Sequence, residues 1–180
     1  EVDTQVGLLR RKLKEQGRDG NTIILFTGDH GFYLGEHGLA GKWFMHEESI
    51  RTPLLVYDPR LPAARRGARV AETTLNIDFH PTMLSMASVA VPEGTMGRDI
   101  SPLLRGDRVR WRNEFYYEHN FTNNGWIPST EGVRANDWKY TLYTDCQPQY
   151  EELFDLRNDR LEERNLAKAA GQAARMAEMR

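Results

Sequence analysis

Asp29 and His30 stand side by side just after an apolar run, in a segment with glycines at 28, 31, 35, 38 and 41. An adjacent carboxylate and imidazole at the end of a strand can both face a metal ion. The chain leaves the pleat there, and the flanking glycines let the backbone approach a ligand closely. The same pair fits a plain turn, with the aspartate capping a backbone amide and the histidine exposed. Lys42, still within the Gly-rich segment, adds a cation that would neutralise charge spread over the oxygens of a transferring group. Taken alone it fits an ordinary solvated surface lysine better. His37 and His46 could complete a zinc set with Asp29 and His30, although the spacings match no standard zinc pattern.

Periodicity locates the elements that would position these residues. Residues 1–16 put Val2, Val6, Leu9 and Leu13 on one stripe of an amphipathic helix. Residues 17–21 read as a turn, and 22–27 as a strand whose unbroken apolar run suits burial on both faces, as in a parallel sheet. Helix, turn and buried strand make one step of a doubly wound α/β fold, in which ligands bind beyond the carboxyl ends of the strands. A short helix is predicted over 43–51, a second buried strand over 53–57, and Asp78 is the expected N-cap of a helix to about residue 87. After a turn-rich connector at 92–107 come short strands at 113–118, 131–135, 138–143 and 151–155. Asn136-Asp137 is a plausible hairpin turn. Successive strands predict an antiparallel sheet, and the Ala-rich stretch 165–180 a terminal helix.

Composition narrows the classes of function. With 180 residues, 39% of them apolar, the chain can bury a real core. A net charge of −2 gives no global field for nucleic acid or an anionic membrane. The longest apolar runs are far too short to span a bilayer. The lone Cys146 excludes an internal disulfide framework. No signal-peptide pattern opens the chain, which starts directly in a helix, as a piece of a longer protein would.

Read together, these segments resemble a known family. The run Thr22 to Gly31, then Leu34-Gly35-Glu36-His37-Gly38, Gly41-Lys42 and Ser49-Ile50-Arg51-Thr52-Pro53-Leu54 is similar to the later signature of the type I sulfatases, members of the alkaline phosphatase-like superfamily. The resemblance continues through Asp78-Phe79-His80-Pro81-Thr82-Met83-Leu84 and Gly97-Arg98-Asp99-Ile100-Ser101-Pro102-Leu103-Leu104-Arg105-Gly106. A looser match follows at Val133-Arg134, Trp138-Lys139-Tyr140 and Glu152-Leu153-Phe154-Asp155-Leu156, with Asn165-Leu166 beyond.

The resemblance implies an α/β fold: the closing part of an alkaline phosphatase-like sheet domain over 1–106, with the metal and sulfate loop at 28–46. A small antiparallel subdomain with a terminal helix would fill 107–180. It implies that Asp29 and His30 ligate a divalent metal, calcium in most members, and that Lys42 contacts a sulfate oxygen as a catalytic and substrate-binding group. His46 is a further substrate-contact candidate, and Glu48, Arg51 and Pro53 would be mainly structural. The implied activity is hydrolysis of a sulfate ester on a small molecule or glycan. A sugar is favoured, because Glu48-Ser49-Ile50-Arg51-Thr52-Pro53 resembles glycan-acting sulfatases more than arylsulfatases. Neither nucleic acid nor a membrane span is implied. Secreted, periplasmic or lysosomal placement goes with the family. Two alternatives stay open: a phosphoesterase or phosphonate hydrolase of the same superfamily, and a non-catalytic anion-binding module.

One departure stands out. The family's Cys/Ser-x-Pro/Ala-x-Arg motif, matured to formylglycine, has no copy among the 180 residues. Cys146-Gln147-Pro148-Gln149-Tyr150 has Tyr150 where arginine is required. The nucleophile and two further aspartate ligands are therefore expected in an N-terminal part of the same protein.

Overall fold

Side chains that alternate across successive strands build the largest sheet. The structure is a computed structural model that describes residues 1–121 and 125–180. Its residues group into two units, 1–28 with 53–110, and 29–52 with 111–180. The segment 29–52 thus goes with the C-terminal strands, whereas the sequence pattern groups it with the strands that flank it.

In the second unit, β5 (Glu114–His119), β6 (Thr130–Ala135), β7 (Trp138–Tyr143) and β8 (Tyr150–Asp155) form an antiparallel sheet in chain order. The register pairs Tyr140 with Leu153 and Thr141 with Glu152. Tyr140 and Leu153 pack with Met176 and Met179 of α5 (Ala173–Met179) in one core. Lys139, Thr141 and Tyr143 alternate with them and must face the opposite side. There they meet the segment 43–47: the Lys139 ammonium donates to the Met45 carbonyl at 2.8 Å, and the Thr141 hydroxyl lies 3.4 Å from Met45 Sδ. Gly132 permits this approach, since a Cβ there would lie 2.1 Å from the Tyr140 carbonyl oxygen and 2.9 Å from Met45 Sδ.

The four expected strands are present to within a residue or so. The terminal helix is shorter than the predicted 165–180. The Asn165 side chain accepts from the Leu153 and Ala167 amides and donates to the Glu151 carbonyl, so this stretch is pinned along β8 until α5 begins.

In the first unit, α1 (Val2–Glu15) precedes β1 (Ile24–Thr27), which pairs antiparallel with β4 (Leu54–Tyr57). This corrects the parallel pairing suggested by the apolar run. A run of that kind records burial, and the direction of the neighbouring strand leaves no trace in it. Phe26, Leu55 and Tyr57 lie on one face of the pair and are exposed. In α3 (Phe79–Met86) the Asp78 side chain makes no bond to the helix's own first amides. It is buried, accepting from the Leu75 and Arg98 amides, while its carbonyl accepts from the Thr82 hydroxyl. That hydroxyl in turn receives the Ile100 amide, just before α4 (Ser101–Arg105).

No residue of α1 is buried, and Val2, Leu8 and Leu9 are exposed like the open face of β1 and β4. So many exposed large apolar side chains are unusual for a free-standing domain. The 180 residues purified alone should bind a hydrophobic dye and self-associate; a monomer with cooperative unfolding and no dye binding would contradict this.

Lys139 has no solvent exposure and lies 2.8 Å from a carboxylate oxygen of both Glu47 and Glu162. Breaking a buried ion pair by removing one partner costs about 3–5 kcal/mol, because the remaining charge loses its counterpart. Lys139→Met should lower unfolding stability by that order in a denaturant titration, and more than Lys12→Met on the exposed face of α1.

Candidate anion and metal site

The site residues are gathered by a small hairpin. β2 (Tyr33–Leu34) pairs antiparallel with β3 (Ala40–Gly41), with Tyr33 opposite Gly41. The pairing returns the chain, so that Lys42 comes back beside His30. The Lys42 ammonium donates to His30 Nε2 at 2.7 Å, and Asp29 Oδ2 is 3.4 Å from the same nitrogen. The His30 amide also donates to Asp29 Oδ1 at 3.1 Å. Carboxylate, imidazole and ammonium thus lie close together, with the Asp29 side chain 88% exposed.

The hydrogen bonds settle the state of the imidazole. His30 Nδ1 is 2.7 Å from the Gly31 carbonyl, which can only accept, so Nδ1 carries the proton. Nε2 then presents a lone pair towards Lys42 and Asp29, the arrangement in which a neutral histidine ligates a metal. Gly31 fixes the base of the loop. Its amide donates to the Ser49 carbonyl at 2.7 Å, and a Cβ there would stand 1.9 Å from the Glu48 carbonyl oxygen.

α2 (Glu47–Ile50) supplies that support and is shorter than the predicted 43–51. Trp43 takes a φ of 101°, which no helix allows, and the helix starts only after His46. Glu47 is tied to Lys139 and to Arg134. Its carboxyl is desolvated, which alone would raise its pKa, but the charge and hydrogen bond of Lys139 hold it below the usual range.

His37 and His46 pack elsewhere in the loop. Their rings stack with centroids 4.0 Å apart, and His37 Nε2 donates to Glu48 at 3.3 Å. His46 is buried, with Nδ1 at 2.8 Å from the Tyr33 hydroxyl. Burial, then the charge of Glu48, keeps the Tyr33 phenol protonated, so it donates to His46. Burial and the neighbouring His37 and Lys139 charges push His46 down to about 3. Among the described residues no group of three His, Cys, Asp or Glu side chains is placed to hold a metal.

The residues that sequence reasoning passed over are Tyr33, Lys139, Glu162 and Trp43. Lys139 had a signal: strand 138–143 carries large side chains on both faces, so its lysine had to be covered. A cleft of about 520 Å³ lined by Tyr116, Tyr140, Glu151 and Arg180 also lies on the four-stranded sheet, without any of the site residues.

His46 is neutral when folded, whereas an unfolded histidine takes up a proton near pH 6.5. Its contribution to stability is therefore complete above about pH 6.5 and is lost as the pH falls towards 3. Burial raises the Glu152 and Glu162 carboxyls, which works in the opposite sense at acid pH. His46→Phe, which cannot take up a proton, should show a shallower fall in thermal midpoint between pH 6.5 and 4 than the wild type.

A family model described as N-sulphoglucosamine sulphohydrolase, C-terminal, matches residues 35–180. N-acetylglucosamine-6-O-sulfatase of Bacteroides thetaiotaomicron is 32% identical over 182 residues, covering 99% of this chain and 32% of that protein. Arylsulfatase K of Xenopus laevis is 31% identical over 173 residues, covering 93% of the chain and 32% of its own length. A protein solved in complex with its substrate D-glucosamine-2-N,6-O-disulfate is similar with a TM-score of 0.89 and 33% identity, over 99% of this chain and 36% of that one. The phosphonate monoester hydrolase of Agrobacterium radiobacter gives 0.84 and 27%, over 98% and 37%. The chain spans about a third of the length of these curated relatives.

Proposed function

The chain belongs to the type I sulfatases, matching the C-terminal part of that alkaline phosphatase-like α/β family, and on this premise we propose that its parent protein hydrolyses a sulfate ester on a sugar. The observation that carries the reading is the convergence of Asp29, His30 and Lys42 within 3.4 Å. The named activity of the Bacteroides relative and the disulfated glucosamine bound by the structural neighbour favour a sulfated aminosugar.

Asp29 and His30 fit two adjacent ligand positions of a divalent cation, because the Gly31 carbonyl holds the Nδ1 proton and leaves Nε2 free to coordinate. Calcium is the family's usual ion; the imidazole is a softer donor than calcium prefers, which makes manganese or zinc the competing identity. The bound ion would polarise a sulfuryl oxygen as a Lewis acid.

Lys42, whose ammonium lies 2.7 Å from His30 Nε2, would bind an anionic sulfate oxygen beside the position of a cation on that nitrogen. Its positive charge offsets charge that grows on the sulfuryl oxygens in the transition state. The nucleophile, formylglycine in the family, and the remaining metal ligands would come from other parts of the parent. Separate residues thus bind the anion and attack it, and the first set is here.

The competing superfamily chemistry, hydrolysis of a phosphonate or phosphate ester, has the Agrobacterium neighbour in its favour. Steady-state kinetics on the intact parent decide between them. Glucosamine 6-sulfate should be turned over with a kcat/KM well above that for a phosphonate monoester. Lys42→Ala and Asp29→Ala should each reduce it by about 10²–10³-fold, the usual loss when one preorganised charge-stabilising group is removed. The isolated 180 residues should show no turnover. Metal-dependent hydrolysis by them alone, or a preference for the phosphonate, would overturn the proposal.

A further inference from the structure

Trp43 follows Lys42 directly and has a φ of 101°, a conformation strained for any residue but glycine. Both of its backbone polar groups are tied down. Its amide donates to Ser49 Oγ at 3.1 Å, and its carbonyl accepts from the Tyr117 hydroxyl at 3.2 Å. A strained backbone secured at both ends holds the indole in one place.

Two more rings meet it there. His119, the last residue of β5, and Phe121 lie 5.4 and 5.3 Å from the indole, each tilted by 40°. They face each other edge to face at 6.4 Å. His119 Nε2 donates to the Phe121 carbonyl at 2.8 Å, which leaves Nδ1 as an acceptor. Phe121 is 54% exposed. Scattered surface aromatics are ordinary, but three rings in mutual contact around a tethered tryptophan make a continuous wall. The Lys42 ammonium lies over the Trp43 ring itself, 4.8 Å from its centroid, so the anion grip and the indole are direct neighbours.

We propose that Trp43, His119 and Phe121 form the wall on which the sugar ring packs while Lys42 holds the sulfate that the ring carries. The inference rests on the sulfatase reading and assigns the sugar-binding residues of that same site. A pyranose has a face of C–H bonds that suits an aromatic surface, and hydroxyls around its rim that stay in water. An ester sulfate lies only a few bonds from that ring, so the anion grip and the ring platform must be neighbours, as Lys42 and Trp43 are. His119 Nδ1 would accept from one rim hydroxyl. A flat aryl sulfate or a bare anion needs much less of the wall.

The test uses the intact parent enzyme with glucosamine 6-sulfate as substrate and inorganic sulfate as a competing anion. Phe121→Ala, at an exposed position, should raise KM for the sugar sulfate about tenfold, with kcat changed less than about twofold and inhibition by sulfate unaltered. Trp43→Ala should lose sugar affinity, and Trp43→Phe, which keeps a smaller ring, should lose less of it. An unchanged KM in Phe121→Ala, or a parallel loss of sulfate inhibition, would overturn the proposal, the latter because the wall would then only support the loop. Saturation-transfer NMR separates this inference from the parent reading. If the parent hydrolyses no sulfate ester but transfers saturation to the sugar ring protons, and Phe121→Ala abolishes it, the wall stands and the activity falls. Absence of transfer in the wild type overturns the wall.

Discussion

An ammonium group with no water around it must find oxygen atoms within the protein, and Lys139 finds three. Its partners are the Met45 carbonyl and the carboxylates of Glu47 and Glu162, each at 2.8 Å. Desolvating these charges is costly, and only close contacts with several partners offset the cost. Those contacts specify which residues of the loop must lie over the sheet. Glu162 reinforces the placement by accepting the Glu47 amide at 2.6 Å, so one carboxylate serves both the lysine and the backbone of α2. The loop and the four-stranded sheet are in this sense a single object.

From that anchor the constraint passes to the site in short steps. Lys139 places Met45 and Glu47; α2 follows and offers the carbonyls of Glu48 and Ser49; Gly31 docks on them. His30 is the next residue, and its proton is held by the Gly31 carbonyl. From the other direction the β2–β3 pairing returns Lys42 to the same imidazole. The His30 Nε2 and the Lys42 ammonium are thus set by backbone contacts, which side-chain motion does not easily undo. Preorganisation of this kind is what electrostatic catalysis requires.

The interior of the loop is polar yet uncharged where it can be. Tyr33 donates to His46, and burial holds that histidine neutral. Glu152 accepts from the hydroxyls of Tyr143 and Tyr150, and burial raises its carboxyl. Hydrogen-bonded neutral groups cost less to bury than ions, which leaves Lys139 as the charged centre of the packing.

Much of this was legible in the residues themselves. Short runs of strand length bounded by turn residues located β5 to β8 to within a residue or so. The abrupt end of an apolar run at Asp29-His30 marked the candidate site, and the motif order identified the family. Other features depended on which surfaces meet. The antiparallel partner of β1 could not be read from its apolar run, nor could the stretch at Asn165 that runs along β8 instead of coiling into a helix. His46, a substrate-contact candidate from its sequence position, is buried against Tyr33 and Phe154. Lys42 and His30 are twelve residues apart in the chain and 2.7 Å apart in space. Local sequence sets backbone preference and periodicity, which depend on neighbours along the chain. Which charge is stripped of water, and which imidazole keeps an open lone pair, depends on groups brought from distant positions, and only the packed chain decides it.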